Sequence, residues 1–143
     1  MLPLVFFKDI LRMLDECGKG GPFKEFTIEV NPDDIVEKGE AYVEGLLELG
    51  VNRVSMGVQS FDDSILKWMN RRHDAATARK AYAILENAGV ENISIDLIFG
   101  LPQVDAQKWA DTLKEALEIC AATGSTKSDR YYIIATVVEV IDD

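Results

Sequence analysis

Three short apolar runs in this chain each contain a polar residue near their end: FTIEVNP has Glu29, RVSMGVQSF has Gln59 and NISIDLIFGLP has Asp96. Their length and their Val, Ile and Phe content predict β-strands, and each is followed by a stretch whose apolar residues recur at helical spacing. Ahead of the first strand, Phe7, Ile10, Leu11 and Leu14 mark a helix that Gly18, Gly20 and Gly21 break. Pro32 stops the first strand, and Val43, Leu46 and Leu47 form the apolar face of a helix ending at Gly50. After RVSMGVQ, Asp62 or Asp63 is placed to cap a helix through Ile65, Leu66 and Met69, because a carboxylate accepts hydrogen bonds from the unpaired first-turn amides. Asp74 is placed to cap another, whose Ala78, Ala81, Tyr82, Leu85 and Ala88 form one stripe before Gly89. The near-continuous apolar character of NISIDLIFG predicts a strand covered on both faces, and a helix bearing Trp109, Leu113, Ala116 and Leu117 follows. Beyond Cys120, AATGSTKSDR reads as a loop, and YYIIATVVEVI as a fourth strand or an edge segment.

Strands alternating with helices imply right-handed βαβ crossovers and a mostly parallel sheet, so the fold class is α/β. The pattern fits an open sheet or part of a (β/α) barrel, in one domain over residues 1–143. In either architecture the C-terminal strand ends face a common crevice, where residues distant in sequence meet one ligand. Glu29, Gln59 and Asp96 are placed to do so. Taken singly, each carboxylate equally suits a helix cap or a bond to loop amides; taken together, the three favour a ligand with several hydroxyls or a cationic centre.

Composition narrows the partners. Fifteen Lys and Arg against 25 Asp and Glu give a formal net charge of −10, which argues against a surface built for nucleic-acid phosphates. No apolar run approaches the roughly 20 residues that span a bilayer, and Lys8, Asp9 and Arg12 interrupt the apolar N-terminus, so a cytoplasmic location is expected. Cys17 and Cys120 belong to no CxxC or CxxxCxxC cluster and read as unpaired thiols, and His73 is the sole histidine. No metal site is expected from the chain's own residues. There is no GxGxxG and no Walker-type loop.

Arg71 and Arg72 follow the helix after Gln59, where one guanidinium could swing back and bind a carboxylate in bidentate fashion; from spacing alone a solvated basic helix end is the favoured reading. Gly57 gives a strand position without a side chain, which often marks close approach of ligand or backbone. His73, flanked by Asp74, reads as a solvated surface residue or as the one conventional ligand for a carried heme.

The words GVNRVSMGVQSFDDSILKWMNRRHDAATARKAY and GVENISIDLIFGLP, with EFTIEVNPDD before them, closely resemble the oxygen-independent coproporphyrinogen III oxidase family of radical SAM proteins, which includes the related heme chaperones. The resemblance covers roughly Lys24 to Leu117. It implies a partial TIM-like (β/α) barrel that holds S-adenosylmethionine and a [4Fe-4S] cluster at the C-terminal strand ends. By matching position, Glu29, Gln59, Arg71 and Asp96 are the family's S-adenosylmethionine contacts. Arg71 would pair with the methionine carboxylate, Gln59 and Asp96 would bond ribose hydroxyls or nearby polar atoms, and Glu29 would meet the amino group or ribose. The oxidase branch is expected to decarboxylate propionates of coproporphyrinogen III through a 5′-deoxyadenosyl radical, in heme and porphyrin biosynthesis. The chaperone branch is expected to bind heme and deliver it, and the RRHD wording leans toward it.

Three departures qualify the resemblance. The family's CxxxCxxC loop would precede Met1, so the chain by itself is expected to lack the electron donor and to be inactive. Where the family continues GLP with Gly-Gln-Thr, this chain has Gln103, Val104 and Asp105. The tail from Ala121 does not match the family's next strand, and the family's C-terminal domain is not represented. These departures read as a central piece of a larger barrel, with the FTIEVN strand left as an open edge that invites self-association.

Overall fold

The computed structural model describes residues 1–122 and 131–137. Helix α1 (Leu4–Glu16) leads into strand β1 (Thr27–Val30), helices α2 (Pro32–Lys38) and α3 (Glu40–Glu48), and strand β2 (Arg53–Gln59). Helices α4 (Asp63–Trp68) and α5 (Ala75–Asn87), strand β3 (Ile93–Phe99), helix α6 (Ala106–Ala122) and strand β4 (Tyr131–Val137) complete the order. Of the two readings of YYIIATVVEVI, a fourth strand or an edge segment, the structure shows a fourth strand that ends the described sheet order; the loop read over AATGSTKSDR lies, from residue 123, outside the described residues, as do residues 138–143.

All neighbouring strands pair in parallel, in the order β1-β2-β3-β4. A doubly wound sheet reverses its strand order and places helices on both faces. Here the order is sequential, and Ile28, Val30, Val54, Met56, Val58, Ile93, Ile95 and Leu97 join the helix residues Ile35, Val43, Leu46, Ala78, Leu85 and Ala116 in one core. The helices therefore cover one face, as in an arc of a (β/α) barrel.

The opposite face is polar. Thr27 and Glu29, Arg53, Ser55 and Gly57, and Ser94 and Asp96 alternate with the core residues along their strands. Both faces of β3 are covered at its start, where Ser94 is as buried as Ile93 and Ile95, but the second face is polar: Ser94 lies 3.3 Å from Arg53 Nη2. Strand period two decides this, since a run read as uniformly apolar still sends alternate residues to opposite faces.

Local chemistry explains the helix ends. Asp62, rather than Asp63, caps α4 by accepting from the amides of Ser64 and Ile65 at 2.9 and 3.3 Å. Asp63 instead accepts from the Ala75 amide at 2.8 Å, which ties the start of α5 to α4. Asp74 caps α5 through the Thr77 amide at 2.7 Å. Asp105 accepts from the Lys108 amide at 2.8 Å and so caps α6, keeping a helix start in the loop whose wording departs from the family. The single helix expected before Gly50 is two, parted at Gly39, whose φ of +77° ends α2. Strand β1 pairs only with β2 among the described residues, and Val5, Phe6, Ile10 and Met13 leave α1 with exposed apolar surface.

Candidate functional site

The polar ends of β1, β2 and β3 enclose a cavity of about 260 Å³ lined by Glu29, Val30, Asn31, Ser55, Gly57, Gln59 and Asp96. The three residues singled out from the sequence therefore meet in one place. The register explains why: Glu29 pairs with Ser55, and Gly57 with Asp96, so side chains of the same face stand side by side across three strands.

Asp96 is held by Ser55, whose hydroxyl donates to Oδ2 at 2.5 Å. The other carboxylate oxygen, Oδ1, is enclosed and has no hydrogen-bond partner among the described residues. An enclosed carboxylate oxygen without a donor is costly, which makes Asp96 Oδ1 an acceptor open to a further donor. Gln59 ends β2 at φ +72°, beside a register shift between Gly57 and Gln59. That shift interrupts the pairing and re-aims the last side chain of the strand, a common use of a bulge next to a site.

Arg71 reaches this corner and Arg72 does not. Arg71 Nη2 donates to Asn31 Oδ1 and to the Gly57 carbonyl, each at 3.0 Å. Arg72 is exposed and pairs with Asp33 at 2.9 Å and Asp34 at 3.4 Å. The acidic first turn of α2 takes Arg72, while Arg71 is tied to Asn31 and Gly57, two residues that line the cavity, without lining it itself. Asn31 occupies the N-cap position of α2 yet makes no capping bond, because its side-chain oxygen serves Arg71 instead.

Ser55 and Asn31 were not singled out in the sequence. Ser55 was legible only through register, being two residues before Gly57 on the same face; Asn31 looked like an ordinary residue before a proline. His73 is corrected: it is 4 % exposed, neither solvated nor open to a ligand, and its Nε2 lies 2.9 Å from the Val58 carbonyl. Burial, chiefly, lowers its pKa, with the Arg71 charge adding to that and the Val58 bond, Asp33 and Asp74 opposing it.

A [4Fe-4S] cluster finds no fit here. Among the described residues no group of three or more His, Cys, Asp or Glu could hold a metal ion. Cys17 and Cys120 form no disulfide, and burial pushes the Cys120 thiol up, away from the thiolate a metal requires. Among the described residues no helix is long and apolar enough to cross a membrane.

A sequential parallel sheet with helices on one face and a polar cavity at its strand ends defines an arc of a (β/α) barrel. Residues 2–116 match the Radical SAM superfamily, and the chain belongs to that superfamily. The heme chaperone HemW of Bacillus subtilis is 34% identical over 134 residues, covering 92% of this chain and 32% of that protein. The oxygen-independent coproporphyrinogen III oxidase of Paracoccus denitrificans is 32% identical over 95 residues, covering 66% of this chain and 20% of that protein. Among solved structures, coproporphyrinogen III oxidase (HemN) from Escherichia coli, described as a radical SAM enzyme, superposes with a TM-score of 0.73 at 28% identity, over 94% of this chain and 29% of that one. The relatives thus include both oxidases and heme chaperones, as the wording of the sequence implied, and the fold is part of a TIM-like barrel. The chain spans about a third or less of the length of these relatives.

Proposed function

We propose that the strand-end cavity binds S-adenosylmethionine, and that the chain serves a radical SAM protein acting on a tetrapyrrole. The observation that supports this most is the convergence of Glu29, Gln59 and Asp96 on one polar cavity with Arg71 anchored at its corner. Two carboxylates and one guanidinium give that corner a formal charge of minus one, complementary to a ligand that carries a sulfonium, an ammonium and a carboxylate. Asp96 Oδ1, left without a donor, suits a ribose hydroxyl or an amino group. Gln59 can both donate and accept, and Glu29 lies at the exposed rim where an amino group or ribose would enter. Arg71 uses Nη2 to hold its place, which leaves its remaining donors for a carboxylate.

Bound S-adenosylmethionine supplies radical chemistry once an electron reaches it, and this chain's residues bind and orient it rather than reduce it. The residues present do not fit an iron–sulfur cluster, so no electron-transfer step is assigned to them. The whole protein's reaction is read as oxidative decarboxylation of coproporphyrinogen III in heme biosynthesis, with heme delivery as the alternative, because relatives of similar identity carry both names. A cytoplasmic location agrees with the unpaired cysteines.

The test is a titration of the ¹⁵N-labelled chain with S-adenosylmethionine, followed by nuclear magnetic resonance, which reads weak binding residue by residue. Shifts at Gly57, Gln59 and Asp96 are expected, with affinity reduced at least tenfold in a folded Asp96→Ala, Arg71→Ala variant. Equal affinity in the variant and the native chain would remove the assignment.

A further inference from the structure

The loop between α4 and α5 holds two consecutive peptide carbonyls at the end of β2. Arg71 Nη2 donates to the Gly57 carbonyl at 3.0 Å, and His73 Nε2 lies 2.9 Å from the Val58 carbonyl. Both carbonyls sit at the register shift, immediately before Gln59 at φ +72°. A non-glycine residue in that region is strained, and such strain persists only where the surroundings over-determine the backbone.

The Val58 carbonyl and the Gln59 nitrogen belong to one rigid peptide plane. Whatever fixes the direction of that carbonyl also fixes φ at Gln59, and with it the direction in which the Gln59 side chain leaves the strand. The carbonyl can only accept, so Nε2 of His73 carries the proton and Nδ1 is bare. Nδ1 is enclosed and makes no hydrogen bond among the described residues, so the ring contributes a single polar contact, and that contact is the Val58 carbonyl.

We propose that His73 is a positioning residue for the strand-end cavity: its Nε2–H bond to the Val58 carbonyl reinforces the bond that the Ser60 amide makes to the same oxygen, and the two together hold the peptide plane that turns the Gln59 side chain toward ligand. The inference rests on the S-adenosylmethionine reading for the identity of that ligand, while the positioning of Gln59 can be measured without any ligand. The Ser60 amide donates to the Val58 carbonyl at 2.9 Å and closes the turn across Gln59, so removing the His73 donor leaves that turn bond alone to hold the plane. Gln59 then has more freedom to depart from φ +72°, and its amide is no longer fixed on the cavity.

The experiment compares the native chain with His73→Phe, which fills the ring volume without the donor, and His73→Gln, whose terminal amide offers an N–H at similar reach. Backbone and side-chain amide signals of Gln59 are recorded first, without ligand, and the affinity for S-adenosylmethionine second. His73→Phe is expected to displace both Gln59 signals and weaken affinity about fivefold or more, whereas His73→Gln restores both to within about twofold. Unchanged Gln59 signals in folded His73→Phe, or a folded His73→Gln that fails to restore them, overturn the proposal. If His73→Phe does not fold, the ring ¹⁵N spectrum of the native chain decides: a neutral Nε2–H tautomer supports the proposal and an Nδ1–H tautomer overturns it. Absence of binding to the native chain, with Gln59 displaced by His73→Phe, counts against the ligand assignment and leaves the positioning role standing.

Discussion

A methyl group placed on Gly57 enters the strand-end cavity and touches little else. An ideal Cβ there would lie 3.0 Å from Gln59 Nε2, and 3.7 Å from both Arg71 Nη2 and Asn31 Oδ1. The closest atom is the far end of a flexible side chain, so Gln59 yields by a few tenths of an ångström and the backbone stays in place. Gly57 is not among the positive-φ glycines, so alanine meets no backbone strain. Replacing glycine at a compatible position stabilises by about 0.4–1 kcal/mol through the unfolded chain, which offsets the tight contact. Gly57→Ala should therefore fold with a thermal midpoint within about 4 °C of the native chain. Binding should suffer, because displacing the Gln59 amide removes a hydrogen bond of about 0.5–1.5 kcal/mol, or roughly 2- to 12-fold in affinity. Any ligand volume that the methyl occupies adds to the loss. Circular dichroism melting and the S-adenosylmethionine titration read the two effects separately. A variant that melts normally and binds with native affinity would refute the placement of ligand against the end of β2.

The remaining predictions use other parts of the same corner. Arg71→Ala should weaken S-adenosylmethionine binding about tenfold or more, while Arg72→Ala should change affinity less than twofold, since Arg72 pairs with Asp33 and Asp34 of α2 and not with residues that line the cavity; equal losses in the titration would refute the division of labour. The burial-lowered pKa of His73 means that the unfolded chain binds the proton more readily between the folded value and about 6.5, so this stability is full above about pH 6.5 and falls as pH drops toward the folded value, with a slope of at most about 1.4 kcal/mol per unit. Denaturant melts across pH 5 to 7.5 should show that slope and lose it in His73→Gln. The capping carboxylates Asp62 and Asp74 are lowered chiefly by side-chain hydrogen bonds from Ser64 and Thr77, so their contribution is present above about pH 4 and lost only at more acidic pH. Finally, the edge of β1, unpaired among the described residues and beside the exposed apolar residues of α1, should drive self-association of this chain, and a monomeric sedimentation profile at high concentration would exclude it.

The fold was legible because its periodicities are clean. Strand and helix spacings alternate, Asp62 and Asp74 stand where caps were expected, and the sequential strand order turns two permitted architectures into one. What could not be read locally was governed by partners distant in the chain. The break at Gly39 depends on its positive φ between two helices that both pack on the core. The polar face of β3 hides inside an apolar run because Ile95 and Leu97 flank Asp96, and only the pairing with β2 shows that Ser55 stands beside it.

The site follows the same logic, and it explains which residues the sequence made conspicuous. Glu29, Gln59 and Asp96 stand out because each is polar against an apolar background, and such a contrast is visible in one strand. Asn31 and Ser55 do not stand out, and His73 stands out only as the sole histidine, because each does its work by orienting another group: Asn31 holds Arg71, Ser55 holds Asp96, and His73 helps hold the peptide ahead of Gln59. Each of these contacts spans 15 or more residues of sequence, the longest 41. A side chain that serves as a support leaves its signature in the position of its partner. It follows that truncating a support should cost binding by disordering the residue it holds, and restoring only its hydrogen-bonding atom should recover most of that loss. Truncating Glu29, whose side chain has no hydrogen-bonding support among the described residues and which lies exposed at the rim, should behave oppositely: if the proposed binding holds, affinity should fall, and no substitution elsewhere in the cavity should restore it.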